Sequence, residues 1–342
     1  APTGRAAKRL AISSGRDADT IHKALEASVR ETGRTYFERN EANPLEEDLI
    51  IVDEASMLDI SLFYHLLCAL KDGARLILVG DIDQLPPVGA GEPLKDLMSW
   101  GYVPIVRLKR IFRQEEGSGI VENAALIRKG EMCVPDEAGE FRIVYAADDE
   151  DAYRIVMDLC RELNYGNEEN KMLLQVLSPM YRGVCGVDHL NESLQEMIHG
   201  EKVPDGMKFF PGDKVMQTRN DYEKGIYNGD VGTVWTATPQ KVFVRYFDKE
   251  VVYEGEERFD LRLAYAVTVH KSQGSEYETV IFILRPSQHN MLQRNLLYTG
   301  VTRARKNTIL VTAPDALRRA LAIQHTGNRY SLFLPFLNHE AL

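Results

Sequence analysis

The sequence predicts an α/β protein built on parallel sheets, with a small β-barrel set into its second half. Three observations predict it. Leu49–Ser56 runs four aliphatic residues straight into two carboxylates and then small residues, the pattern of a strand buried on both faces of a parallel sheet. A second such run, Arg75–Val79, follows after a helix-length gap and also ends in a polar cluster, so the two read as a βαβ unit with a right-handed crossover. From Pro204 to about Asp260 the chain turns to short β-rich segments broken by Gly-Asp and Asn-Gly turns, the spacing of a small barrel.

Length and composition bound the rest. The 342 residues suffice for two or three domains with sizeable cores, and 44% hydrophobic content is ordinary for a soluble protein. No apolar run approaches a membrane span, and Ala1-Pro2-Thr3-Gly4-Arg5 does not read as a signal peptide. The expectation is a cytoplasmic chain with no membrane partner. Cys68, Cys133, Cys160 and Cys185 lack metal-ligand spacing and read as free thiols in a reducing compartment. The net charge of −10 argues against a protein whose main work is coating nucleic acid. A local basic track stays open, because only residues facing phosphates matter.

In chain order, Arg5–Leu10 opens a helix whose Arg5, Lys8 and Arg9, with Thr3 and the first amides, suit a phosphate; an ordinary solvated helix fits these residues equally well. Thr20–Val29 reads as a second helix, and Arg34–Asp48 as a short hairpin or irregular excursion. Leu49–Val52 is the first buried strand, Ile60–Leu70 its helix and Arg75–Val79 the next strand. Pro104–Leu108 reads as a further strand leading into the basic Lys109–Gln114, and Ile120–Lys129 as helix. Met132–Tyr165 carries acidic patches with no assignable chemistry. Met172–Leu177 reads as strand and Asp188–Ile198 as helix. Barrel strands follow at Lys214–Gln217, Gly232–Trp235, Lys241–Phe247 and Val251–Tyr253. The α/β pattern resumes with strand Leu263–Val269, strand Thr279–Leu284, helix Asn295–Arg305 and strand Thr308–Thr312.

Three constellations carry chemistry. Asp53 and Glu54 stand at the carboxyl end of a parallel strand, where open α/β sheets place ligands. There Asp53 suits Mg²⁺, directly or through water, and Glu54 suits the water that attacks a γ-phosphate. Gln84, in the loop Gly80–Pro87, points to the same crevice, with Pro86 and Pro87 fixing the chain that leaves it. His270-Lys271-Ser272-Gln273 follows a strand and gathers many donors in one loop. His270 alone reads as a packed histidine, and no second metal ligand stands nearby; the cluster as a whole favours phosphate or sugar contact.

Taken in order, these segments resemble the RecD-like DNA helicases of superfamily 1. Pro2-Thr3-Gly4-Arg5-Ala6-Ala7 is similar to helicase motif Ia, Asp53-Glu54-Ala55-Ser56 to motif II, and Gly80-Asp81 through Gln84-Leu85-Pro86-Pro87 to motif III. Phe112-Arg113-Gln114 resembles motif IV, Thr268 to Gly274 motif V, and Tyr298 through Arg303-Ala304 motif VI. The resemblance implies two RecA-like parallel-sheet motor domains, 1–104 and 105–203 with 261–342, and an SH3-like β-barrel, 204–260, inserted in the second. It also implies ATP and Mg²⁺ as cofactors, with Asp53 on the metal, Glu54 activating water and Gln84 sensing the γ-phosphate. Arg113 and Arg303 become phosphate-contacting arginines, and Glu276 touches the nucleotide sugar. Thr3, Gly4, Arg5, Thr268, His270, Lys271, Ser272 and Gln273 grip single-stranded DNA, with 5′ to 3′ polarity and a role in repair or recombination. Residues 34–43 stand where the family's strand-separating pin would be, and the barrel is an expected seat for a protein partner.

One departure stands out. The family's Gly-x-x-x-x-Gly-Lys-Ser/Thr loop is missing, and no Gly-Lys dipeptide occurs anywhere. The expectation is a chain truncated upstream of motif Ia that hydrolyses ATP negligibly by itself. Competing readings are a non-catalytic DNA- or partner-binding remnant, a nuclease, and an NTPase acting on a small substrate. No carboxylate cluster with a lysine supports the nuclease.

Overall fold

The computed structural model describes residues 1–29, 35–108, 117–204, 206–221, 223–247, 249–324 and 333–338. The chain divides into two compact units, Ala1–Lys109 with Thr326–Leu342, and Arg110–His325.

In the first unit, helix Gly4–Ser14 opens on Thr3, whose Oγ1 accepts the Ala6 N–H at 3.3 Å. The expected helix Thr20–Val29 shrinks to Ile21–Ala24, because Glu26 enters the left-handed region at φ 51 and the chain leaves as a strand. That strand, β1 (Ala27–Val29), pairs antiparallel with β2 (Thr35–Phe37). β3 (Leu49–Val52) and β4 (Arg75–Leu78) pair in parallel, Val52 opposite Leu78, across helix Ile60–Cys68. Ile50, Val52, Leu76 and Leu78 pack into a core with Phe63, Leu66 and Leu97. The other face, with Leu49, Ile51 and Ile77, is exposed. Burial on both faces was the expectation; an unbroken aliphatic run cannot tell whether both sides are covered, and here the described elements cover one. Pro104–Leu108 forms no strand, and Val106 and Leu108 are each 86% exposed. Among the described residues no strand pairs with it.

The second unit holds β5 (Phe141–Tyr145), β6 (Leu174–Ser178), β7 (Lys214–Gln217), β8 (Val231–Ala237), β9 (Lys241–Arg245), β10 (Glu250–Glu254), β11 (Leu261–Leu263), β12 (Ala266–Thr268), β13 (Tyr277–Leu284) and β14 (Ala304–Thr312). An all-parallel sheet has the order β12-β6-β13-β14-β5. The stretch without assignable chemistry thus supplies its edge strand β5 and the amphipathic helix Asp149–Glu162. β7 to β11 form a separate antiparallel sheet, ordered β10-β9-β8-β7-β11, around Phe209, Val215, Val234, Val244 and Tyr253. Leu263–Val269 is not one strand. Leu261–Leu263 closes the barrel sheet against β7, and after Ala264-Tyr265 the chain joins the parallel sheet as β12. A barrel ending at residue 260 therefore lacks its last strand.

Two fully buried charges root the insertion. Asp213 accepts hydrogen bonds from Gln195 Nε2, the Phe210 N–H and Tyr265 Oη, and lies 2.9 Å from His199 Nε2. Lys214 Nζ donates to the Leu174 carbonyl and Gln175 Oε1, both at 3.0 Å. Buried charges persist only when so satisfied.

Candidate nucleotide and nucleic-acid sites

The parallel register of β3 and β4 sets their carboxyl ends side by side. Beyond them the Ala55 N–H donates to the Val79 carbonyl at 2.8 Å, and Gly80 passes so close to Ser56 that a Cβ there would lie 2.8 Å from the Ser56 nitrogen. Only glycine permits that approach, and it joins the Asp53-Glu54 turn to the Gly80–Gln84 loop. Glu54 sits at φ 55, ψ 37, in the left-handed region, with its N–H bonded to Asp53 Oδ1 at 2.9 Å. A non-glycine residue held there stores strain of the kind found at functional sites. Gln84 Nε2 reaches Asp81 Oδ2 at 3.4 Å, while Gln84 Oε1 is buried without a hydrogen-bond partner among the described residues. The cavity beside it, about 10 Å³, has room for one water and none for a nucleotide. A single carboxylate such as Asp53 fits Mg²⁺, which keeps most of its shell as water and phosphate oxygens. Among the described residues no three His, Cys, Asp or Glu side chains converge as a protein-made metal cage.

At the first helix, Thr3 and Arg5 are half-buried and Gly4 is buried, and the first turn carries no acidic residue.

In the second unit, Thr268 ends β12 and its Oγ1 accepts the Lys271 N–H at 3.2 Å, drawing His270–Ser272 into one 3₁₀ turn. Ser272 is fully buried and donates its hydroxyl to the Val269 carbonyl at 2.7 Å. Gln273 is also buried, whereas His270 and Lys271 are partly exposed. Burial holds the His270 imidazole below its ordinary range and so neutral, and it lowers the Lys271 ammonium, with the nearby Arg262 adding to the effect.

Helix Arg294–Val301 ends earlier than the expected Asn295–Arg305, so Arg303 does not ride on a helix face. It lies in the turn into β14, 1% exposed, and donates to the Thr299 and Ser275 carbonyls, each at 3.2 Å. The Tyr277 N–H donates to the Arg303 carbonyl at 2.9 Å, which brings Glu276 and Arg303 to neighbouring ends of β13 and β14. Gly300 makes this possible, since a Cβ there would stand 2.5 Å from the Phe282 ring. Arg113 lies outside the described residues.

Residues 1–142 match the AAA domain model, 190–246 the SH3 domain of ATP-dependent RecD-like DNA helicases, and 263–311 the UvrD-like helicase C-terminal domain. The chain is 38% identical over 336 residues to the ATP-dependent RecD2 DNA helicase of Deinococcus radiodurans, covering 97% of itself and 45% of that protein. It belongs to the RecD-like helicases of superfamily 1. The RecBCD enzyme subunit RecD of Mycolicibacterium smegmatis is 32% identical, with 97% of this chain and 65% of that one covered. The chain thus spans about half to two thirds of the length of these relatives. In fold it is similar to Pif1 helicase from Bacteroides in complex with ADP-AlF3 and single-stranded DNA, with a TM-score of 0.58 at 20% identity over 99% of this chain and 85% of that one.

Arg262, on β11, and Asn228, between β7 and β8, are barrel residues that stand with Lys271 and that the sequence does not single out. The only available signal was the Asn228-Gly229 turn, since proximity across 43 residues has no local pattern.

Proposed function

We propose that this chain is the core of an ATP-driven DNA helicase that tracks 5′ to 3′ along single-stranded DNA in repair or recombination, in the cytoplasm. The observation that carries this reading is the junction at β3 and β4, where the strained Asp53-Glu54 turn is bonded to the Gly80–Gln84 loop. Names of relatives add to it: one is an ATP-dependent DNA helicase and another a RecBCD subunit. In this reading Asp53 holds Mg²⁺, whose chemistry when bound is to neutralise phosphate charge. Glu54 orients and deprotonates the attacking water, Gln84 senses the γ-phosphate, Glu276 meets the sugar, and Arg113 and Arg303 meet phosphate. Thr3, Gly4 and Arg5 offer donors to one stretch of the strand and His270 and Lys271 to another, while Thr268, Ser272 and Gln273 shape the second turn. A protein partner seats on the barrel, a role that Trp235, 57% exposed and stacked 4.5 Å from the Arg245 guanidinium, supports.

The missing Gly-Lys dipeptide favours a second statement. The phosphate-loop lysine and its amides do much of the holding of the β- and γ-phosphates, so the 342-residue chain hydrolyses ATP negligibly although it binds single strands. Both halves are measured on the purified chain, by anisotropy of a labelled oligothymidylate and by phosphate release with and without it. Multiple turnover that disappears in Glu54→Gln would overturn the inactivity, and absence of strand binding would overturn the helicase core.

A further inference from the structure

Lys271 lies in a cleft of about 890 Å³ whose walls come from the barrel and from the parallel-sheet side of the same unit. Its Nζ donates to Asn228 Oδ1 at 2.7 Å. Asn228 is held in turn: its N–H donates to Asn220 Oδ1 at 2.9 Å, and the next residue, Gly229, donates to the Gln217 carbonyl at 2.8 Å. Arg262, on β11, faces the same cleft and makes no ion pair among the described residues. Burial and Arg262 together disfavour the Lys271 ammonium. Two cations are therefore brought together at a cost, and a neutral amide oxygen holds one of them in place.

A carboxylate in the place of the Asn228 amide would neutralise the Lys271 ammonium. The cleft has carboxylates, but Glu257 is bound to Lys224 at 2.6 Å, Asp260 faces Arg219 at 3.5 Å, and Glu256 stands exposed at the rim. None cancels the charge at Lys271. An amide acceptor orients an ammonium without neutralising it, which leaves the charge for an anion from outside. We propose that Asn228 is a positioning residue, with the inserted barrel using it to hold Lys271 beside Arg262 so that the two cations take one phosphate of a single strand. This rests on the single-strand reading above. It makes the barrel part of the strand-binding apparatus through a defined contact, and it adds Arg262 to the residues that touch the strand.

The test is anisotropy of a labelled oligothymidylate on the 342-residue chain across a salt series, for Asn228→Ala, Asn228→Asp, Arg262→Gln, Lys271→Ala and the Asn228→Ala/Lys271→Ala pair. Lys271→Ala and Arg262→Gln each flatten the log–log salt slope by about one, as loss of one phosphate contact does. Asn228→Ala weakens binding by roughly three- to tenfold and adds nothing once Lys271 is alanine, because it acts only through that side chain. Asn228→Asp pairs the ammonium internally and weakens binding with a flattened slope although both cations remain. Additive losses in the double variant, tighter binding by Asn228→Asp, or unchanged binding by Asn228→Ala and Arg262→Gln would overturn the proposal and leave the helicase reading standing. No binding by the unaltered chain would overturn both.

Discussion

Glu54 shows what a single residue contributes. Holding an L-residue in the left-handed region costs about 1–2 kcal/mol, and glycine avoids that cost. Glu54 is held there at φ 55 beside Asp53. Glu54→Gly therefore raises stability by about 1 kcal/mol, less the added entropy of the unfolded glycine, measured as a higher urea midpoint. A lower midpoint would mean that the side chain's own contacts outweigh the strain. The carboxylates were legible in the sequence because their chemistry is local, an acidic pair closing an aliphatic run. The strain was not, since nothing in Asp-Glu-Ala-Ser specifies a positive φ. The same limit applies to Ser272, identified as a donor, whose hydroxyl is used inside its own turn.

At the level of elements, periodicity located most strands and lost their ends where two structures meet. β3 and β7 lie where the aliphatic pattern put them. The Leu263–Val269 run reads as one strand because both halves are apolar, and only pairing assigns Leu263 to β7 and Ala266 to β6. The sequence puts Arg303 on a helix because Leu296 to Val301 keep helical spacing until the turn that Thr302 makes with the Tyr298 carbonyl. The 3₁₀ turn at His270 adds a pH dependence. Burial lowers the imidazole's affinity for a proton below its ordinary value of 6.5, so the unfolded chain binds a proton that the folded one refuses. Stability from this group is complete above about pH 6.5 and is lost as pH falls through the folded value. His22 shifts in the same direction for the same reason, with Asp59 opposing. The urea midpoint thus falls between pH 7.5 and 5, and His270→Gln makes that fall shallower. An unchanged slope in the variant would show that His270 takes its proton without cost.

For the molecule as a whole, the two units differ in how much they bury. The first rests on two parallel strands packed on one face, with Leu49, Ile51 and Ile77 at 47%, 50% and 46% exposure. The second has five parallel strands, with Val280 to Leu284 of β13 fully buried, and a barrel rooted by Asp213 and Lys214. Apolar burial contributes roughly 25 cal/mol per Å², and stability follows it. A chain of such unequal parts does not unfold as one cooperative unit. The sequence supplies a reporter for each: its two tryptophans are Trp100, at the end of a helix in the first unit, and Trp235, on β8 in the second. With Trp235→Phe the fluorescence follows the first unit alone, and with Trp100→Phe the second. The Trp100 signal is expected to move at lower urea than the Trp235 signal, each as its own transition. Coincident transitions would mean that the second unit stabilises the first by more than the exposed face of β3 and β4 costs it, and the unequal burial would no longer rank their stabilities.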